Sequence, residues 1–183
     1  MITIIESKTF PESTTQAVVN FVDCSGNAIN FYGENIFKQN QDMLEKYLKF
    51  CEEGKLKPGM VWYYKGKDKE ILNFAISESN DLSEVTLNEF KNGLLKLKQI
   101  IENKNIKSIA ITNIVQLDNV IDFSAIYDEI FYDCEFNVEI YNYKMIWDVS
   151  TKELVQDNQK LNKKKKNSLV THITYPENTV FHI

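Results

Sequence analysis

The chain has 183 residues, of which 43% are hydrophobic, with a formal net charge of −5 and a pI of about 5.2. This size and composition suit one main globular domain and exclude a chain that is disordered throughout. All 21 basic residues are lysines, and an acidic chain without arginine is a poor candidate for sequence-specific DNA binding.

Short apolar runs alternate with amphipathic stretches along the first 142 residues, a pattern typical of α/β folds. The predicted strands cover residues 1–5, 17–22, 60–64, 71–76, 106–112 and 136–141. The predicted helices cover residues 32–53, 86–101 and 123–131. Gly54 ends the first helix, and Thr86 with Glu89 forms a capping box at the start of the second. This order predicts a mixed, largely parallel sheet with helices on both faces.

The pattern changes after residue 142, so we predict a domain over residues 1–142 and a β-rich C-terminal extension over 143–183. The extension holds a predicted strand, Met145–Val149, a segment with four consecutive lysines, 153–166, and two β-like runs, 169–175 and 179–183. The lysine run itself is interpreted as a solvated loop. The two terminal runs could form a hairpin, complete a sheet edge or pair with a second chain, which would make a homodimer.

Cysteine and histidine usage excludes several chemistries. The three cysteines include no C-x-x-C pair, and the two histidines lie near the C-terminus, so neither a disulfide framework nor a zinc site is predicted. We expect no other metal and no cofactor. No apolar run approaches the roughly 20 residues that span a bilayer, and no signal peptide is visible, so we predict a cytoplasmic protein with no membrane partner. The absence of arginine beside abundant Lys, Asn and Ile suggests an AT-rich bacterial or viral genome.

Several short segments follow one another in an order known from one protein family. They are Val18–Asn20 with the Gly26 loop, residues 47–64 with their E-x-G-x-x-x-P-G turn, Ile71–Phe74, 87–101 and 106–114. In this order the chain resembles the macrodomain, the α/β fold best known for binding ADP-ribose. It is most similar to the branch of antitoxin-type glycohydrolases that remove ADP-ribose from DNA. The resemblance covers about residues 1–142 and implies a three-layer sandwich with a mixed, largely parallel sheet.

The resemblance also implies where a ligand would bind, and the sequence departs from the family there. In the family, a pair after the first strand reads the adenine, and Ser7 and Lys8 stand at that place. A glycine-rich loop after the second strand wraps the distal ribose. There Asn20 and Gly26 are kept, Asp23 replaces an asparagine and Asn30 replaces a lysine.

A second glycine-rich loop cradles the diphosphate in the family, because glycine lets backbone N–H groups approach a ligand closely. The corresponding residues 114–121 read IVQLDNVI and contain no glycine, and Asp118 adds a negative charge. The resemblance therefore implies an ADP-ribose site that has been lost or reshaped.

Seven residues are candidates for the ligand site, and no residue is predicted to be catalytic. They are Asn20, Asp23, Gly26, Asn30, Asn73, Phe74 and Asp118. For two of them we favour a structural interpretation: Asn20 fixes the following loop through a local hydrogen bond, and Phe74 is core. Cys24 is likewise interpreted as structural. The aromatic run Trp62–Tyr64 stays open between a binding patch on an edge strand and packing in a covered sheet.

The sequence therefore favours a non-enzymatic binding protein with a macrodomain-like scaffold, which engages a protein or a nucleotide-derived ligand. A viral protein that acts on its host would fit the composition. Two alternatives remain open. One is an ADP-ribosyl glycohydrolase or ADP-ribose-binding module, and the other is a structural protein that forms oligomers through its C-terminal strands.

Overall fold

The computed structural model describes residues 1–5, 13–29, 31–141, 145–148 and 153–156. The strands and helices of these residues are β1 (Ile2–Ile5), β2 (Ala17–Asp23), α1 (Phe31–Gln39), α2 (Gln41–Glu52), β3 (Val61–Lys65), β4 (Glu70–Ser77), α3 (Leu87–Asn103), β5 (Ser108–Thr112), α4 (Phe123–Phe131), β6 (Asn137–Tyr141), β7 (Met145–Asp148) and β8 (Glu153–Gln156).

Six of the strands form one mixed sheet in the order β1-β6-β5-β2-β4-β3. The neighbours from β1 to β4 run parallel, and β3 pairs antiparallel with β4. The predicted α/β class with a mixed, largely parallel sheet is therefore confirmed. The sheet leaves β1 and β3 at its edges among the described residues.

Helices cover both faces of this sheet, which makes three layers. Successive side chains along a strand point to opposite faces of the sheet. Phe21 and Phe74, which lie opposite each other in β2 and β4, point to the face covered by α3 and α4 and belong to the main hydrophobic core. Asn20 and Asn73 point to the other face, towards α1 and α2. The strands β2, β4 and β5 read as near-continuous buried runs because they are covered on both sides.

The single helix predicted over residues 32–53 is two helices. Asn40 leaves the helical conformation with φ −133° and ψ 67°, and its side-chain amide donates to the Ile36 carbonyl at 2.9 Å. An asparagine that satisfies a helix-terminal carbonyl in this way competes with continuation of the helix. Gly54 ends α2 at φ 62° as predicted, which a residue without Cβ adopts at no steric cost.

The capping box at α3 is confirmed, because the Thr86 hydroxyl donates to Glu89 Oε2 at 2.8 Å and accepts from the Glu89 amide at 3.3 Å. The strand predicted from Ile106 begins only at Ser108. Ile106 is buried, but its amide donates to the Ile101 carbonyl and belongs to the end of α3.

The contacts of the chain group Met1–Asn142 in one unit and Tyr143–Ile183 in another. Within the second unit, β7 and β8 pair antiparallel with Met145 opposite Gln156. The strand predicted over Met145–Val149 is thus present over Met145–Asp148, and Glu153–Gln156 form a strand that the sequence did not predict. The lysine run and the two terminal β-like runs lie outside the described residues.

Candidate functional site

The sheet has one topological switch point, where β2 and β5 lie side by side and their chains leave in opposite directions. β2 continues into α1 and α2 on one face, whereas β5 continues into α4 on the other. In sheets of this type ligands bind in the crevice outside the carboxyl ends of the strands at such a point. The loops that follow β2 and β5 therefore frame the candidate site.

The loop after β2 is organised around the carboxylate of Asp23, which is fully buried. Its Oδ1 atom accepts from three consecutive backbone amides, those of Ser25 at 2.8 Å, Gly26 at 2.9 Å and Asn27 at 2.8 Å. Its Oδ2 atom accepts from the Ser25 hydroxyl at 2.9 Å and from the Asn27 side-chain amide at 2.8 Å. Three neighbouring amides form the kind of concave donor group that binds anions, and here the protein's own carboxylate occupies it.

The hydroxyl group of Tyr47 in α2 contacts both ends of this loop. Its hydroxyl lies 2.8 Å from the Asp23 carbonyl, 3.0 Å from the Asn27 carbonyl and 3.1 Å from Asp23 Oδ1. Burial and the neighbouring Asp23 raise the pKa of Tyr47 well above its usual value, so the hydroxyl stays protonated as a donor. Gly26 holds φ 109°, and a Cβ there would lie 3.0 Å from Leu48 Cδ2, so both backbone and packing favour glycine.

Asn20 and Asn73 form a buried pair across β2 and β4. The Asn20 side-chain amide donates to Asn73 Oδ1 at 2.8 Å, and Asn73 Nδ2 lies 3.4 Å from the Met43 sulfur. Asn20 Oδ1 is buried without a hydrogen-bond partner. The expected local hydrogen bond from Asn20 to the following loop is therefore wrong, because Asp23 organises that loop and Asn20 bridges two strands.

The loop after β5 is held mainly by apolar side chains. Ile114, Leu117 and Ile121 are each almost completely buried. The Val120 and Ile121 amides both donate to the Leu117 carbonyl at 2.8 Å. The apolar side chains of this loop, which contains no glycine, thus anchor it to the core.

Two carboxylates complete this second loop. Asp118 is exposed, and Asn113 Nδ2 lies 3.4 Å from its Oδ1. Partial loss of water around Asp118 raises the pKa of its carboxyl group. Asp122 caps α4 by accepting from the Ala125 amide at 3.0 Å. The described residues of the two loops, 23–29 and 113–122, thus carry three carboxylates and no lysine.

Phe74 is core and does not reach the candidate site. It is fully buried, and its ring centroid lies 5.6 Å from that of Phe21 and 5.4 Å from that of Phe90. A Cβ on Gly93 would lie only 2.2 Å from the Phe74 ring, so α3 packs directly on it. The structural interpretation of Phe74 thus agrees with its position.

Cys24 lies beside Asp23 at the same end of the sheet, but its thiol is unreactive. Burial first, then the nearby Glu78, raise the pKa of the thiol to about 12. A thiol with this pKa carries almost no thiolate at neutral pH and is a poor nucleophile. Within the described part of the chain, no group of three or more His, Cys, Asp or Glu side chains could hold a metal ion.

The remaining candidates are placed as follows. Asp23, Gly26 and Asp118 lie in the two loops, and Asn20 and Asn73 lie buried in the strands below them. Asn30 lies outside the described residues, as do Ser7 and Lys8. Sequence reasoning missed Tyr47 and the roles of Ser25 and Asn27. The D-x-S-x-N spacing after a strand was the available signal, because Asp in such a position folds the next residues around its own side chain.

A separate cavity of about 220 Å³ lies at the other end of the sheet, beside the start of β2 and β4. Its walls include the C-terminal half of α1 and the turn residues Asp68 and Lys69. None of the six candidates that the structure describes lines it. No helix among the described residues is long and apolar enough to cross a membrane.

No protein-family model and no curated protein matches the sequence. The fold is nevertheless shared with solved structures. The macrodomain of Thermus aquaticus DarG is similar with a TM-score of 0.67 and 19% identity, over 77% of this chain and 97% of that one. The macrodomain of Mycobacterium tuberculosis DarG is similar with a TM-score of 0.68 and 23% identity, over the same shares.

A third similar structure is Thermosipho africanus DarTG in complex with ADP-ribose, with a TM-score of 0.63 and 16% identity over 77% of this chain and 41% of that one. Identities this low show the fold alone. The chain therefore has the macrodomain fold, as the resemblance in its sequence implied.

Proposed function

We propose that this macrodomain-fold protein is a non-enzymatic binding protein whose site at the ends of β2 and β5 no longer accepts the diphosphate of ADP-ribose. One observation carries the proposal. The carboxylate of Asp23 accepts from the three consecutive amides of the loop after β2. A phosphate that approached these donors would find them occupied and would meet a negative charge.

The second loop supports the same conclusion. A diphosphate needs closely approaching amides or cations, and this loop supplies apolar anchors and two carboxylates instead. Asp122 already accepts from the N-terminus of α4, the other place where a phosphate would be stabilised. Repulsion between a phosphate and one carboxylate in a partly desolvated crevice is on the order of a kcal/mol or more.

The ligand class that fits this site is therefore a protein segment or a nucleotide-derived molecule without the diphosphate, and not ADP-ribose itself. The half-buried thiol of Cys24 and the exposed Asp118 offer neutral and acidic contacts. No described group at the site combines a reactive nucleophile with a base, because the pKa of the Cys24 thiol is raised to about 12.

Isothermal titration with ADP-ribose tests the proposal directly. We expect no saturable heat up to about 1 mM ADP-ribose, which corresponds to binding weaker than about −4 kcal/mol. Thermosipho africanus DarTG, which holds ADP-ribose in its solved structure, serves as the positive control. Saturable binding with a micromolar dissociation constant would refute the lost diphosphate site.

An activity assay distinguishes the proposed binding protein from the alternative, an ADP-ribosyl glycohydrolase. The protein is incubated with ADP-ribosylated DNA and with ADP-ribosylated protein, and the released ADP-ribose is measured. We expect no release above buffer. Release that disappears in an Asp23→Asn variant, assayed at a temperature where that variant is still folded, would instead establish a glycohydrolase.

The second candidate function is an ADP-ribose-binding module, which the fold shared with ADP-ribose-bound Thermosipho africanus DarTG favours. Asn20 Oδ1 in β2 is buried without a hydrogen-bond partner, and a ligand hydroxyl could donate to it. If titration detects ADP-ribose, Asn20→Ala should weaken binding. An unchanged affinity in that variant would place the ligand elsewhere.

A further inference from the structure

The aromatic strand β3 lies at an edge of the sheet. This is the placement in which the sequence predicted that Trp62–Tyr64 form a binding patch. Among the described residues it pairs only with β4. The Ala75 amide donates to the Met60 carbonyl at 2.9 Å, so the pair of Met60 and Ala75 is hydrogen-bonded. Because bonded and non-bonded positions alternate in an antiparallel ladder, the backbone groups of Val61, Tyr63 and Lys65 point away from β4.

The side chains of β3 are fixed on both faces of the sheet. On the α2 face, the Trp62 ring lies 5.0 Å from Phe50 and 5.9 Å from Tyr64. On the α3 face, the ammonium group of Lys104 lies 3.9 Å from the centroid of the Tyr63 ring. The strand is thus held in an extended shape, and its outer backbone groups require no rearrangement before they bind another strand.

The two faces of this edge differ in chemistry. The α2 face presents the partly exposed rings of Trp62 and Tyr64, and one cation lies there, the ammonium group of Lys46 at 5.4 Å from the Tyr64 centroid. The α3 face carries the cations Lys65 and Lys104. Glu70, opposite Lys65, has one carboxylate oxygen buried without a hydrogen-bond partner. Burial first, and then the neighbouring Glu70, raise the pKa of Tyr63.

A second copy of the chain does not suit this edge. Antiparallel pairing of β3 with itself would bring two copies of Lys65 and two of Lys104 onto the same face of the joined sheet, where like charges repel one another. Lysines on edge strands commonly prevent such self-pairing. The same charges attract an acidic strand.

We propose that the β3 edge binds an extended peptide segment in which acidic and apolar residues alternate. Its backbone would pair with Val61, Tyr63 and Lys65. Its apolar side chains would lie beside Trp62 and Tyr64, and its acidic side chains would lie beside Lys65 and Lys104. This inference rests on β3 alone and is independent of the site at the ends of β2 and β5.

The test is a titration of the full chain with an acetylated, amidated heptapeptide of alternating glutamate and valine. Two control peptides accompany it, one with lysine in place of glutamate and one with alternate backbone amides N-methylated. Binding is measured by titration calorimetry and located by amide chemical shifts. We expect the glutamate peptide to bind at least about tenfold more tightly than either control, with the largest shifts at Val61–Lys65.

Two variants separate backbone pairing from charge. Lys65→Pro removes an outward N–H together with the cation and leaves the bonds to β4 in place, whereas Lys65→Ala removes the cation alone. We expect Lys65→Pro to weaken binding at least about threefold more than Lys65→Ala.

Several results would overturn the proposal: equal binding of the N-methylated peptide, no binding of the glutamate peptide, shifts outside β3, or self-association through β3. If Lys65→Pro does not fold, the comparison of the glutamate peptide with its N-methylated form still decides the question.

Discussion

The two loops that frame the candidate site occupy equivalent places after neighbouring strands, yet they are held by different forces. The loop after β2 is folded around one buried carboxylate and one tyrosine hydroxyl. The loop after β5 is held by the side chains of Ile114, Leu117 and Ile121 in the core. The first depends on hydrogen bonds with fixed directions, whereas the second depends on packing and on area removed from water.

This difference bears on the proposed loss of the diphosphate site, because each loop would exclude an anion in its own way. In the first loop the amides form a concave arrangement, but an internal carboxylate accepts their hydrogen bonds. The second loop contains no glycine that would permit close approach of the backbone, and its apolar side chains are buried in the core. The predictions below test whether each loop is held as described, from the largest expected effect to the smallest.

Removal of the Asp23 side chain should have the largest effect. Asp23→Ala leaves the amides of Ser25, Gly26 and Asn27 without their acceptor, and we expect the free energy of unfolding in urea to fall by about 3–5 kcal/mol. Asp23→Asn keeps one acceptor oxygen and should cost less, about 1–2 kcal/mol. Asp128→Ala, at an exposed position, is the control. A loss below about 1 kcal/mol in Asp23→Ala would mean that another group holds the loop.

Truncation of Leu117, a buried side chain of the second loop, should destabilise the protein. Leu117 is 2% exposed, so Leu117→Ala should lower the free energy of unfolding by about 2–4 kcal/mol through lost burial and a cavity. Gln116→Ala, at the exposed neighbouring position, should change it by less than about 0.5 kcal/mol. Equal effects of the two substitutions in urea unfolding would show that the loop is not anchored by packing.

The contrast between the loops also shows what could be predicted from sequence. Apolar periodicity predicted the strands and α3, because burial on a sheet or helix face repeats along the chain. The absence of glycine from the loop after β5 could be read directly from residues 114–121. The break at Asn40 and the donors around Asp23 were not, because they depend on side-chain hydrogen bonds that leave no periodic signal.

The ligand of the candidate site, the viral origin and the cytoplasmic location stay predictions. The domain boundary at residue 142 was proposed from a change in composition. The pairing of Asn20 with Asn73 could not be predicted from either residue, because 53 positions separate them and only the register of β2 with β4 brings them together. Asn30 lies outside the described residues, so its place in the ligand loop also stays a prediction.

Substitution of Tyr47, which contacts the first loop, should lower the free energy of unfolding by a smaller amount that depends on pH. Tyr47→Phe removes a hydroxyl within 2.8–3.1 Å of three oxygens and should cost about 1–2 kcal/mol at pH 7. Because the pKa of Tyr47 is raised in the folded state, the unfolded chain releases this proton first, from about pH 10. The stabilisation is therefore full below pH 10 and is lost as the pH rises.

Unfolding measured in urea from about pH 8 to pH 11 should show this loss, with a slope approaching about 1.4 kcal/mol per pH unit for one proton. Tyr47→Phe should reduce the slope relative to the unsubstituted chain. Tyr127, which is also buried with a raised pKa, gives a similar contribution in both proteins and cancels in the comparison. Identical slopes would show that Tyr47 is not the titrating group.

The smallest effect should come from the helix cap that ends the second loop. Asp122→Ala removes the acceptor of the Ala125 amide and should lower the free energy of unfolding by about 1 kcal/mol. Asp122→Ser keeps a side-chain oxygen and should recover most of that loss, because serine caps helices nearly as well as aspartate. Since the cap uses a single hydrogen bond at an exposed position, its loss should leave the first loop intact. Amide shifts of Ser25–Asn27 that change in Asp122→Ala would instead show that the two loops are coupled across the ends of β2 and β5.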